Sequence, residues 1–238
     1  MKRLGIIGGL GPMATAYFFQ LIIEMTKAEK DQEHIEIFVH NRPQIPDRTK
    51  YILGISDENP LSDFLKVGKG LVKQGAEAIA IPCVTAHFFQ PILEEEIQCP
   101  VLNAIVETAE YLKMENIDTV GIMATDGTIE SKLFQNILEK YEIKCLLPDA
   151  EGQNAVMHLI YQNVKAGKPM EMDLFNQVSK QLFDKGAKVI LLGCTELSMA
   201  KKNHGIKKGF LDVLEVLARK AVLTCGNLKE EYQHLIVE

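Results

Sequence analysis

Short apolar, β-branched runs alternate along the chain with longer segments in which apolar residues recur at helical spacing. The short runs predict strands at Leu4–Ile7, Glu36–His40, Ala78–Ile81, Thr119–Met123, Lys144–Leu147 and Val189–Leu192. The longer segments predict helices over Pro12–Lys30, Leu61–Gln74, Phe88–Ile97, Ile105–Glu115, Ile129–Lys140, Gln153–Lys165, Met172–Lys185 and Leu214–Leu223. Strands that alternate with helices in this way predict an α/β fold built on parallel strands. Pro12 suits the first turn of its helix, where a missing N–H leaves no bond unmade. No low-complexity linker interrupts the pattern, so any two lobes must pack closely.

The pattern also repeats. "LVKQGAEAIAIPCVTAH" ends a helix, turns at Gly75, runs a strand and delivers Cys83 with Thr85 close behind. "LFDKGAKVILLGCTELS" does the same through Gly186 to Cys194 and Thr195. A looser echo links "RLGIIGGLGPMA" with "TVGIMATDGTIE", each a strand running into a glycine-containing loop before a helix. The expectation is two similar lobes, each a parallel sheet flanked by helices, related by a pseudo-twofold axis with the site between them. Residues 1–102 would form the first lobe and 103–209 the second, with the C-terminal segment 210–238 returning as a helix onto the first. Ligands of open α/β sheets lie beyond the carboxyl ends of the strands, so the two cysteines would meet in one crevice.

Composition narrows the function. With 26 Lys and Arg against 32 Asp and Glu, the net charge is −6, and no basic cluster offers a footprint for nucleic acid. No apolar run approaches the ~20 residues that span a bilayer. The start mimics a signal peptide, but Gly8, Gly9, Gly11 and Pro12 interrupt its apolar stretch, and cleavage would remove the first strand. Five cysteines without tight spacing fit a reducing compartment. The expected location is cytoplasmic and the expected ligand a small molecule.

A thiol at a helix N-terminus is the more readily ionised for the dipole and free N–H groups there. One thiolate and one thiol on opposite sides of a carbon make a base and an acid of matched strength. Removal of a proton from one face and delivery to the other inverts a stereocentre, and no redox cofactor is needed. The resulting carbanion must be stabilised by donors aimed at the adjoining carboxylate. The loops "GGLGP" and "ATDGT" could supply backbone N–H groups, at Gly9, Leu10 and Gly127. Taken singly, a cysteine is more often a buried small hydrophobe, and Cys99, Cys145 and Cys225 keep that reading. Cys83 with His87 makes a weak zinc case for want of a third ligand. "GIIGGLG" sets its glycines too tightly for the dinucleotide fingerprint. No cofactor and no metal are expected.

The motifs "GIIGGLGPMAT", "KDQEH", "NRPQIPDRT", "IPCVTAH", "ATDGTI", "YQNVKAGK" and "GCTE" together resemble the PLP-independent aspartate/glutamate racemases, above all the aspartate-specific branch, over nearly the whole chain. The resemblance implies a two-domain α/β racemase, commonly a homodimer, with Cys83 and Cys194 as the acid/base thiols. It implies that Arg48 and Lys165 meet the substrate's second carboxylate. Thr85, Thr125, Thr128 and Thr195 match positions that line the substrate or the thiols, and Glu196 matches one that orients the second thiol or the substrate ammonium. The family usually carries Asn directly after its first cysteine, where this chain has Val84; the lost amide contact is worth ~1–3 kcal/mol if left unreplaced. Asp126 adds a negative charge to the second loop.

The expected activity is therefore cofactor-independent racemisation of aspartate. Its rivals are another acidic amino acid, a related isomerisation or decarboxylation on the same frame, and a binding protein for acidic amino acids that has lost turnover.

Overall fold

Residues 1–206 and 208–236 are described in the computed structural model of the chain. The strands are β1 (Leu4–Gly8), β2 (Ile37–Asn41), β3 (Ala78–Ala80), β4 (Thr119–Met123), β5 (Lys144–Leu146), β6 (Val189–Leu192) and β7 (Phe210–Asp212). The helices are α1 (Pro12–Met25), α2 (Arg48–Ile52), α3 (Leu61–Lys73), α4 (Gln90–Ile97), α5 (Ala104–Met114) and α6 (Asp126–Glu130). They continue with α7 (Leu133–Lys140), α8 (Ala150–His158), α9 (Met172–Asp184), α10 (Thr195–His204) and α11 (Val213–Cys225).

The strands form two parallel sheets, in the orders β2-β1-β3 and β5-β4-β6-β7. Numbered within each half, both begin 2-1-3. The second half adds a fourth strand; the first reduces it to one parallel bridge between Ile79 and Val101. There the Ile79 N–H donates to the Pro100 carbonyl at 2.8 Å, as the Ile190 N–H donates to the Gly209 carbonyl at 2.9 Å in the other sheet. An Asx residue then caps the next helix in each half. Asn103 Oδ1 accepts from the Ile105 and Val106 N–H groups, and Asp212 Oδ1 from that of Leu214.

Side-chain alternation along the strands assigns each sheet two different faces. Leu4 and Ile6, Ala78 and Ala80, Val120 and Ile122, and Val189 and Leu191 enter one shared core with α1, α5 and α11. The intervening residues turn outward to separate cores, Ile7, Ile79 and Ile81 in the first half and Ile190 and Leu192 in the second. The halves are thus joined through a common apolar layer.

Several elements depart from their sequence expectations. α1 stops at Met25, short of Lys30, because Thr26 bonds back to the Ile22 carbonyl at 2.6 Å and bridges to Leu228. The helix expected over Ile129–Lys140 is broken at Lys132, whose φ of 55° separates α6 from α7. The helix expected from Gln153 to Lys165 opens into a π-helical turn over Leu159–Val164. β7, α2 and α10 were not anticipated. Because β7 pairs with β6, the segment from residue 210 begins inside the second sheet before α11 packs on α1 and α5. Residues 237 and 238 of that segment lie outside the described ones. No helix among the described residues is long and apolar enough to cross a membrane.

Asp212 is fully buried between Ser198, which donates to it at 2.6 Å, and the Lys201–Glu215 pair. Burial, aided by Glu215, pushes its carboxyl up to about 7. The folded chain therefore keeps a proton that the unfolded chain has lost, and the stability this contributes fades as pH rises through about 7. Denaturant midpoints of the wild type should fall from about pH 6 to about pH 8, and Asp212→Asn, which retains the cap, should flatten that fall. An equal fall in the variant would show that another group controls it.

Candidate active site

The carboxyl ends of both sheets supply one pocket. Leu10 follows β1; Asp47, Arg48 and Thr49 follow β2; Cys83, Val84 and Thr85 follow β3; Thr125 follows β4; Cys194, Thr195 and Glu196 follow β6. Tyr161 and Lys165 complete the wall. Placement beyond the strand ends is the location expected for a ligand of such sheets.

Both cysteines follow the third strand of their half and share an extended backbone, with φ −157°, ψ 107° at Cys83 and φ −143°, ψ 136° at Cys194. Each is 7% exposed. Cys194 caps α10, whereas the turn that Cys83 opens, Val84–Phe89, is 3₁₀ before it becomes α4. The sequence repeat is thus matched in the backbone up to the sulfur and diverges after it.

The surroundings of the two thiols differ in charge. Cys194 Sγ donates to Glu196 Oε2 at 2.9 Å, and Thr195 Oγ1 donates to the same oxygen at 3.3 Å. Burial first, and the Glu196 carboxylate second, push the Cys194 thiol well above its ordinary value, with Lys165 opposing them. Cys83 instead lies by Arg48. Burial pulls that guanidinium down, but the Cys83 sulfur and the Asp47 carboxylate outweigh it and hold the group above its ordinary value. Lys165 behaves likewise: burial lowers it, while Glu196, Cys194, Tyr161 and Asp47 raise it beyond the usual lysine range.

Neither cation is saturated. Arg48 donates to the carbonyls of Ile45 and Pro46 at 3.3 and 3.0 Å, yet its Nε is buried without a partner. The Lys165 ammonium lies 4.1 Å from the centre of the Tyr161 ring. The π-helical turn places Tyr161 and Lys165 together on this wall, a use of π-turns common at functional sites.

Behind Cys83, Thr85 Oγ1 lies 3.0 Å from both Thr125 Oγ1 and Thr128 Oγ1, and the latter two are 3.1 Å apart. This buried hydroxyl triangle ties the two halves together. Thr128 belongs to the triangle but not to the pocket wall. Gly127 is also off the wall; a Cβ there would sit 2.9 Å from Thr49 Cα, so glycine is needed for α2 and α6 to approach. Gly9 needs its φ of 98° and would drive a Cβ into the Arg42 backbone at 2.4 Å. Its N–H is committed to Thr15 Oγ1 at 2.9 Å, so it is not the free donor the loop pattern suggests. The Asp126 carboxylate accepts from Gln153 Nε2 at 2.7 Å, turned away from the pocket. Val84 both lines the pocket and joins the shared core.

Sequence reasoning did not pick out Asp47, Thr49 or Tyr161. Tyr161 Oη donates to Asp47 Oδ2 at 3.2 Å across 114 residues. The remaining cysteines lie off the pocket wall, and burial pushes Cys145 and Cys225 up to about 11 and also raises Cys99. His87 is buried with Nδ1 on Gln90 at 2.9 Å, and burial lowers it to about 4, so it is neutral. Among the described residues no group of three or more His, Cys, Asp or Glu side chains is placed to hold a metal ion.

Between the thiols the pocket narrows to about 10 Å³ of free room, the space of roughly one water. In front of it lies a cleft of about 440 Å³, lined by the Gly9–Ala14 loop, Pro43, Ile45, Val164 and Met199. Leu10, Asp47, Arg48, Lys165 and Glu196 form the boundary shared by both.

Two parallel sheets flanked by helices, with one cation-lined pocket at their carboxyl ends, are the architecture of the cofactor-independent amino-acid racemases. Residues 7–221 match the Asp/Glu/Hydantoin racemase family, and the chain belongs to it. The family resemblance carried by the sequence motifs therefore holds. The aspartate racemase of Picrophilus torridus superposes with a TM-score of 0.82 at 30% identity, covering 98% of each chain. The broad specificity amino-acid racemase RacX of Bacillus subtilis is 23% identical over 227 residues, 93% of this chain and 97% of that one. The glutamate racemase of Francisella tularensis, solved with D-glutamate, shares the fold at a TM-score of 0.62 and 20% identity, over 94% of this chain and 80% of that one.

Proposed function

We propose that this racemase interconverts L- and D-aspartate by proton exchange between Cys83 and Cys194. The observation that carries the reading is the unequal pair of thiols in one pocket, one bonded to a carboxylate and the other set beside a guanidinium. The one-water space at the thiols must widen to admit the amino acid; in the forward half-reaction Cys83, as thiolate, then takes the α-proton. The C–H electrons pass into the α-carboxylate as an enediolate-like pair, and Cys194 returns its proton to the opposite face. The two enantiomers are equal in energy, so no co-reactant is consumed. Cys83 then carries the proton and Cys194 is the thiolate, ready for the reverse passage.

Arg48, buried with an unpartnered Nε, and Lys165, on the pocket wall at its solvent-facing side, would take the side-chain carboxylate in charge-assisted bonds. The Leu10 loop and the pocket threonines would face the α-carboxylate, and Glu196 the ammonium. The test is L-aspartate in heavy water. The expected product is D-aspartate deuterated at Cα, with optical rotation decaying to zero. Exchange into another amino acid but none into aspartate would overturn the substrate assignment. Binding of both enantiomers with no exchange would overturn the enzyme.

A second reading, broader specificity, is favoured by the cleft in front of the pocket, which can receive a side chain longer than that of aspartate, and by the similarity to RacX. The chain is further read as a homodimer. Support comes from the resemblance and from Phe19 and Ile23, apolar and solvent-facing one turn apart on α1. A sedimentation mass of one chain would overturn that.

A further inference from the structure

The geometry points to Asp47 as the residue that sets how strongly the Arg48–Lys165 pair prefers an anionic side chain, an inference that rests on the racemase reading. Asp47 stands on the boundary between the thiol pocket and the outer cleft. Its carboxylate is fixed from both halves. Oδ1 accepts from the Lys50 N–H at 3.0 Å as the cap of α2, and Oδ2 accepts from Tyr161 Oη at 3.2 Å. The Tyr161 ring carries the Lys165 ammonium at 4.1 Å, so Asp47, Tyr161 and Lys165 form one cluster, with Arg48 the next residue in the chain. Burial raises the Asp47 carboxyl, but its bond from Lys50 and the charges of Lys165 and Arg48 more than reverse this, so it is ionised.

A carboxylate is thus already in the field of the two cations that would hold the substrate's second carboxylate. An aspartate side chain arriving there gains two cations and meets one like charge. A neutral side chain such as that of asparagine meets no such repulsion. Asp47 is therefore a specificity-determining counter-charge: it weakens the selection of dicarboxylic over neutral amino acids. The opposite arrangement, in which Asp47 binds the substrate ammonium, predicts effects of opposite sign, because every amino acid carries that group.

Asp47→Asn tests this, since Asn caps a helix as well as Asp and its NH2, in place of Oδ2, can donate to Tyr161 Oη; Asp47→Ser is a second cap-competent variant. Binding of L-aspartate and L-asparagine is followed by titration calorimetry, and α-proton exchange gives KM and kcat. Removing one unit charge at a partly buried site should tighten aspartate about tenfold, in KM as in Kd, with kcat held within a few-fold and asparagine tightening by much less. Unchanged or weaker aspartate binding, or equal tightening of both ligands, would overturn the proposal. If the wild type exchanges no α-proton with either amino acid, the racemase reading fails separately, and the calorimetric comparison still decides the part played by Asp47.

Discussion

Replacing either Cys83 or Cys194 by Ala should lower aspartate racemisation by at least ~1,000-fold, within the range expected for loss of a positioned acid or base. Both side chains are small and 7% exposed, and deleting one sulfur leaves a cavity far smaller than a Leu→Ala change, so the fold should survive. The sharper consequence concerns the thiol that remains. A single base on one face can remove and return a proton on that face without inverting the centre. Each variant should therefore wash α-deuterium into one enantiomer only, and the two variants should choose opposite enantiomers. Proton NMR of the α-position, on each enantiomer separately, reads this directly. Full racemisation by both single variants would remove the two-thiol mechanism. Washout of the same enantiomer by both would place the two sulfurs on one side of the substrate.

Much of this arrangement was legible because it is written twice. A helix, a glycine turn, an apolar strand and a Cys-Thr loop recur at Cys83 and Cys194, and the parallel sheets bring their ends into one pocket. Strand positions were recovered to within a residue; β1, β3, β4 and β6 are buried on both faces and so leave an unbroken apolar run. β7 escaped because Phe210–Asp212 is only three residues long, too short for a periodicity. A third echo was nonetheless present: "PVLNAIVE" and "GFLDVLEV" each end a strand-like pairing in an Asx cap. The site residues that went unseen, Asp47 and Tyr161, are joined across 114 positions by a bond that no local pattern encodes. Asp47 also caps α2, accepting from the Lys50 N–H. The N–H of Gly9 shows the converse. The glycine pattern correctly marks a tight loop, but pattern alone cannot tell that Thr15, six residues on, has taken the donor.

Lys165 and Glu196 act on Cys194 with opposite sign, so their variants should move the pH profile in opposite directions. Burial is the largest influence on the Cys194 thiol and raises it; the Glu196 side chain adds to that through its charge and its hydrogen bond, while the Lys165 charge and the Glu196 backbone N–H lower it. Glu196→Gln keeps an acceptor for Sγ but removes the charge, which brings the thiol down. The rising limb of kcat/KM should then shift to lower pH for the enantiomer that Cys194 deprotonates. Lys165→Met keeps the stem against Tyr161 but removes the cation, which lets the thiol climb further, and that limb should shift to higher pH. The Lys165 variant should also lose ~100-fold in kcat/KM at neutral pH, because Glu196, Asp47 and a developing thiolate lose the cation they share and the substrate's second carboxylate loses one of its two partners. For the other enantiomer, which Cys83 deprotonates beside Arg48, the limb should move much less in both variants. Profiles measured from the L and D sides therefore separate a local charge effect on one sulfur from general damage to the site. Shifts of the same sign in the two variants, or equal shifts from both enantiomers, would show that Cys194 is not controlled by this carboxylate and this ammonium.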